Sequence, residues 1–129
     1  MHARGEFEVQ LAPLAPYNND ADAQIARMSI DKVFHGDLEA ASKGEMLSAG
    51  SPQSGSAGYV AVERVTGALR GRKGSFALQH DATMHRGEFS LNVIVVPGSG
   101  TGELQGLRGA MQIIIAGGQH SYELEYEFE

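Results

Sequence analysis

Glu63 and His80 are the two residues whose types and spacing could do chemistry. Glu63 stands in a run where Tyr59, Ala61, Glu63, Val65 and Leu69 share one face, by the period-two alternation of a strand. The opposite face holds Val60, Val62, Arg64, Thr66 and Ala68, again one charge among largely apolar neighbours. In the next run, Phe76, Leu78 and His80 share a face, with Ala77, Gln79 and Asp81 opposite. Only a short glycine-containing stretch, Arg70 to Gly74, separates the two runs, so they are expected to be hairpin partners. Glu63 and His80 can then point into the same interior, within reach of each other. Burial raises a carboxyl pKa and a neighbouring imidazolium lowers it, which is how acid–base pairs are often tuned. The same pair can equally be structural, each group satisfying the other. Arg64 could instead partner a carboxylate across the sheet.

The elements that must position these residues are strands. Ala3, Gly5, Phe7, Val9 and Leu11 alternate with Arg4, Glu6, Glu8 and Gln10 at the start. His120, Tyr122, Leu124, Tyr126 and Phe128 alternate with Ser121, Glu123, Glu125 and Glu127 at the end. Three glutamates on one wet face need a basic neighbour opposite, and Arg4 is the candidate. Six further strands are expected at about 25–35, 38–48, 58–69, 74–83, 88–96 and 103–115. Tight reversals divide them: His35-Gly36-Asp37, Arg70 to Gly74, His85-Arg86-Gly87, Pro97 to Gly100 and Ala116-Gly117-Gly118. Ala12 to Gln24 and Ala49 to Gly58 read as longer loops, with one helical turn conceivable near 20–26. Short connections make sequential strands antiparallel neighbours. The fold class is therefore all-β: one domain over 1–129, a single antiparallel β-barrel of about eight strands, since closure removes exposed edges. A two-sheet sandwich is the alternative.

Composition narrows the functions. With 129 residues, 42% hydrophobic and 20% charged, the chain can bury a real core. A net charge of −6 and a pI near 5.3 disfavour nucleic acid, and the one basic cluster, Arg70, Arg72 and Lys73, sits at a turn. There is no cysteine, hence no disulfide or thiolate chemistry. No apolar leader precedes the first strand, and the run Asn92 to Pro97 is too short to span a bilayer, so a cytoplasmic protein is expected. The histidines lack metal-ligand spacing, and no dinucleotide, phosphate-loop or nucleophile-elbow motif is present, so neither metal nor cofactor is expected.

Three blocks carry a resemblance. They are ERVTG at 63–67, GRKGSFAL at 71–78 followed by Gln79-His80, and PGSGTGELQGLRG at 97–109. With Gly5-Glu6-Phe7-Glu8-Val9 and Pro16-Tyr17, they make most of the chain resemble a bacterial family known as domain of unknown function 3224. The resemblance implies an eight-stranded barrel like that of allene oxide cyclases. The 100–109 block is also similar to the GTG…ARG stretch of dirigent proteins. The family brings no catalytic residues with it. Barrels of this type guide small apolar molecules by shaping a cavity, and they form symmetric oligomers.

Two functions follow as expectations. One is a barrel that binds a small apolar or aromatic metabolite among Phe7, Phe76, Leu78, Tyr122 and Tyr126, with Glu63 and His80 orienting it or acting as base and acid. Met28, Met46, Met84 and Met111 could make such a wall adaptable. The other is a non-enzymatic homo-oligomeric module with a self-filled barrel. For that module, the runs Val93 to Val96 and Ile113 to Ile115, apolar on both faces, supply an outer surface to cover. Whether the protein is an enzyme stays open at this level.

Overall fold

A computed structural model describes residues 1–129, the side chain of Pro52 excepted. Eight strands follow one another: β1 (His2–Leu14), β2 (Ile25–Gly36), β3 (Leu38–Ser51), β4 (Ser56–Leu69), β5 (Arg72–His85), β6 (Glu88–Val95), β7 (Leu107–Ala116) and β8 (Gln119–Phe128). Each pairs antiparallel with the next, and β8 returns to β1, which closes the barrel. The local cause is turn chemistry. At 70–71, 86–87 and 117–118 both residues have positive φ, the backbone of a two-residue hairpin that matches strand twist. Arg4 lies directly opposite Glu123, and Arg108 opposite Glu127, so basic side chains flank the acidic face of β8.

The strands run longer than alternation alone indicates. β1 reaches Leu14, and β3 and β4 reach Ser51 and Ser56, so the two expected loops shrink to 15–24 and a short 3-10 turn, Pro52–Ser54. At Asp20 a single turn does form, closed by the bond from Ala23 N–H to the Asp20 carbonyl. The seventh strand starts at Leu107 instead of Glu103. Gly102–Leu104 is a 3-10 turn, held down by Thr101 on the Ser75 N–H and by Glu103 on the Lys73 N–H.

The interior is packed at one end and open at the other. At the packed end Leu38, Leu69, Leu104 and Leu107 are fully buried. Tyr122 ties this end together: its hydroxyl donates to the His35 carbonyl at 2.8 Å and accepts from the Leu38 N–H at 3.0 Å. Phe34 meets Tyr122 edge to face and Phe7 lies tilted against Phe34, with ring centroids 5.6 and 5.5 Å apart. At the other end β1 pairs with β8 only as far as Phe7 but with β2 as far as Leu14, so the wall is uneven. The weakest seam is β6–β7, which share the single pair Ile94↔Ala110. Among the described residues no helix is long and apolar enough to cross a membrane.

Candidate functional site

Four polar side chains climb the inner wall as a staircase. Lys32 on β2 lies opposite Ser42 on β3. Two residues on from Ser42, Gly44 lies opposite Glu63 on β4. Two residues back from Glu63, Ala61 lies opposite His80 on β5. Each step is diagonal, and sheet twist brings diagonal neighbours within reach of long side chains. The other three converge on the Glu63 carboxylate. Lys32 Nζ donates to Glu63 Oε2 at 2.8 Å, and His80 Nε2 meets the same oxygen at 2.6 Å. Ser42 Oγ donates to Oε1 at 2.7 Å. Glu63 is only 1% exposed and Lys32 7%.

A charge so deep needs compensation, and it has it. Burial on its own pushes the Glu63 carboxyl up. The hydrogen bond from His80, with the charge and hydrogen bond of Lys32, overcomes burial and brings it down to about 2. Glu63 is therefore ionised, and His80 donates Nε2–H to it. The ammonium of Lys32 also lies 5.0 Å from the centre of the Phe7 ring and 5.8 Å from that of Phe34, where the ring faces attract a cation. Among the described residues, no buried side-chain nitrogen or oxygen lacks a partner.

Gly44 makes the room. A Cβ there would run into the Val62 carbonyl oxygen and the Cα of Glu63. Its hydrogen atom lets β3 and β4 close up at the rung that carries the carboxylate.

The structure brings Glu63 and His80 together in the interior. Phe76, Leu78, Tyr122 and Tyr126 lie within the buried core cluster, packed against one another and their neighbours. Arg64 faces outward and donates to Ser75 Oγ at 3.2 Å, away from the Glu63 carboxylate. The sequence reading did not single out Lys32 or Ser42. The signal for Lys32 was its phase, between Ile30 and Phe34 on one face of β2.

Above the network, toward the open end, a cavity of about 280 Å³ is lined by Met46, Ser48, Tyr59, Ala82, Met84 and Phe89, with 57, 58 and 83 at its rim. Tyr59 is half-buried. Burial, then the nearby Glu63 charge, raises its phenol above the ordinary value, so it stays protonated through neutral pH. On the outer wall a separate shallow saddle of about 530 Å³ runs over Leu47, Val60 and Val62, bordered by Arg27, Glu45, Gln79 and Asp81.

A family model described as a protein of unknown function, DUF3224, matches residues 3–126. The chain belongs to the DUF3224 family. A solved DUF3224 structure from Shewanella oneidensis MR-1, a protein with unknown function, is 50% identical in sequence. It superposes with a TM-score of 0.94 over 100% of this chain and 97% of the other. No curated protein matches the chain. Among DUF3224 barrels, this identity and coverage establish the fold of the present chain across its whole length.

Proposed function

We propose that this DUF3224 barrel binds a small apolar or aromatic metabolite at its open end, above a fixed internal charge network. The observation that carries this reading is the divided interior. One end is filled by its own leucines and aromatics, while Met46, Tyr59, Met84 and Phe89 leave about 280 Å³ of space at the other. An apolar cavity of roughly 150 Å³ accepts benzene, and drug-sized ligands need about 300 Å³ or more. The occupant therefore has one or two rings or an equivalent aliphatic skeleton. Two methionines in the wall give it the adaptability to close on such a shape.

In this reading Glu63 and His80 lie beneath the cavity, outside its lining, and support the wall that holds the ligand. A carboxylate held near 2 has little proton affinity at neutral pH, so Glu63 is a poor general base. Any proton transfer would fall to His80, with Glu63 fixing its ring. Binding is thus the better supported activity. The test is a titration with N-phenyl-1-naphthylamine, a neutral fluorescent probe. One saturable site, lost when Ala82→Trp fills the cavity, is the expected result. A signal that never saturates, or one unchanged by Ala82→Trp in a folded protein, overturns it.

A second reading, self-association, draws on the outer wall. Leu47 and Val60 are cross-strand partners, about half exposed, with Val62 beside them and Ile94 and Ile114 further round. Sedimentation would then give a mass that rises with concentration and falls back to one chain in Val60→Asp. A single chain at all concentrations removes this reading.

A further inference from the structure

The open cavity is not uniformly apolar. Ser48 and Tyr59 are direct cross-strand partners on β3 and β4, so their hydroxyl-bearing side chains stand together on one wall. The same wall continues across β5 and β6: Ala82 lies directly beside Tyr59, Ala82 and Met84 share the inner face, and Phe89 pairs with Met84. Thr83, the third hydroxyl at the rim, is on the opposite face of β5 and exposed. Neither the Ser48 nor the Tyr59 hydroxyl takes part in the hydrogen bonds that join the described residues, and among those residues no buried side-chain nitrogen or oxygen lacks a partner. Both therefore reach open space. No Lys, Arg, His, Asp or Glu lines the cavity.

We propose that the ligand carries one uncharged hydrogen-bond acceptor, a ketone or ester carbonyl, at one end of its apolar skeleton, and that Tyr59, assisted by Ser48, recognises it. This rests on the binding function proposed above and adds its specificity. The chemistry follows from the wall. A charged group entering there would lose its hydration and meet no counter-charge, which is costly. A pure hydrocarbon would strip water from two hydroxyls and return nothing. A carbonyl accepts a hydrogen bond from the Tyr59 O–H, which burial and Glu63 keep protonated at neutral pH. Its skeleton then lies against Met84 and Phe89. Tyr59 is here a specificity residue, and no bond is made or broken.

The test compares 2-acetylnaphthalene with 2-ethylnaphthalene as competitors of N-phenyl-1-naphthylamine. One net hydrogen bond corresponds to about three- to tenfold in affinity. The ketone is expected to displace the probe at about three- to tenfold lower concentration. In Tyr59→Phe that ratio falls to near one while the hydrocarbon's affinity holds, and Ser48→Ala lowers it part-way. Equal affinities in the unaltered protein, or a preference that survives both substitutions, overturn the specificity while leaving binding intact. If neither compound displaces the probe, both the specificity and the binding function fail.

Discussion

His80 and Glu63 touch at 2.6 Å although they belong to different rungs of the sheet, His80 opposite Ala61 and Glu63 opposite Leu78. The diagonal contact is completed from the other side by Lys32, which reaches over from β2, two strands away from β4. With Ser42 on β3 donating to the same group, four strands are joined inside the barrel by a single carboxylate.

Removing that carboxylate's charge leaves the ammonium of Lys32 buried without a counter-ion. Breaking one side of a buried pair costs about 3–5 kcal/mol, whereas replacing both members with neutral groups of similar size is often nearly neutral. Glu63→Gln alone should therefore lower unfolding free energy in urea by that amount. Adding Lys32→Met should recover most of it. If the two losses simply add, the coupling described here is absent.

The same group sets the acid limit. Its carboxyl is lowered from 4.5 to about 2 on folding, so the unfolded chain takes up the proton first. Stability from this group is complete above pH 4.5 and drains away as pH falls toward 2, by about 3 kcal/mol in all. Urea midpoints measured across that window should drop in the unaltered protein. The drop should be smaller in the Glu63→Gln, Lys32→Met double variant, and an equal drop in both would assign the acid limit elsewhere.

Gly44→Ala tests the close approach of β3 and β4. The added methyl meets the Val62 carbonyl and the Glu63 backbone, neither of which can swing aside. Overpacking of this kind costs about 1–3 kcal/mol. A shift of the urea midpoint to lower concentration is expected, and an unchanged midpoint would mean the strands part without cost.

The β6–β7 seam should open first. It holds one backbone pair, Ile94↔Ala110, whereas β4 and β5 pair without a break from Ala57↔Met84 to Leu69↔Arg72. Phe89 and Ile115, at the open ends of β6 and β7, are 62% and 66% exposed. Seam-facing amides within 89–93 and 111–115 should exchange with deuterium well before those of β4 and β5. Uniform protection around the barrel would contradict this.

Much of the barrel was legible because its signals are local. Alternation marks the faces of β1 and β8, and paired turn residues such as Arg70-Gly71 and Arg86-Gly87 mark the reversals. The placement of Glu63 beside His80 was legible for the same reason, since one short hairpin connects them. Lys32 was not. Its place inside β2 depends on a carboxylate that only the closed sheet brings near, and strand periodicity carries no information about partners two strands away. The segment at 103–105 alternates like a strand but is held as a cover over the start of β5 by Thr101 and Glu103, contacts that a linear pattern does not encode.

The most direct test of the account locates the occupant. Crystals soaked with 1-bromonaphthalene, measured at the bromine edge, should give an anomalous peak between Tyr59, Met84 and Phe89, above the Glu63 network. A peak only on the outer saddle at Leu47 and Val60, or no ordered bromine at saturating ligand, would contradict the claim that the open end of the barrel is the binding site.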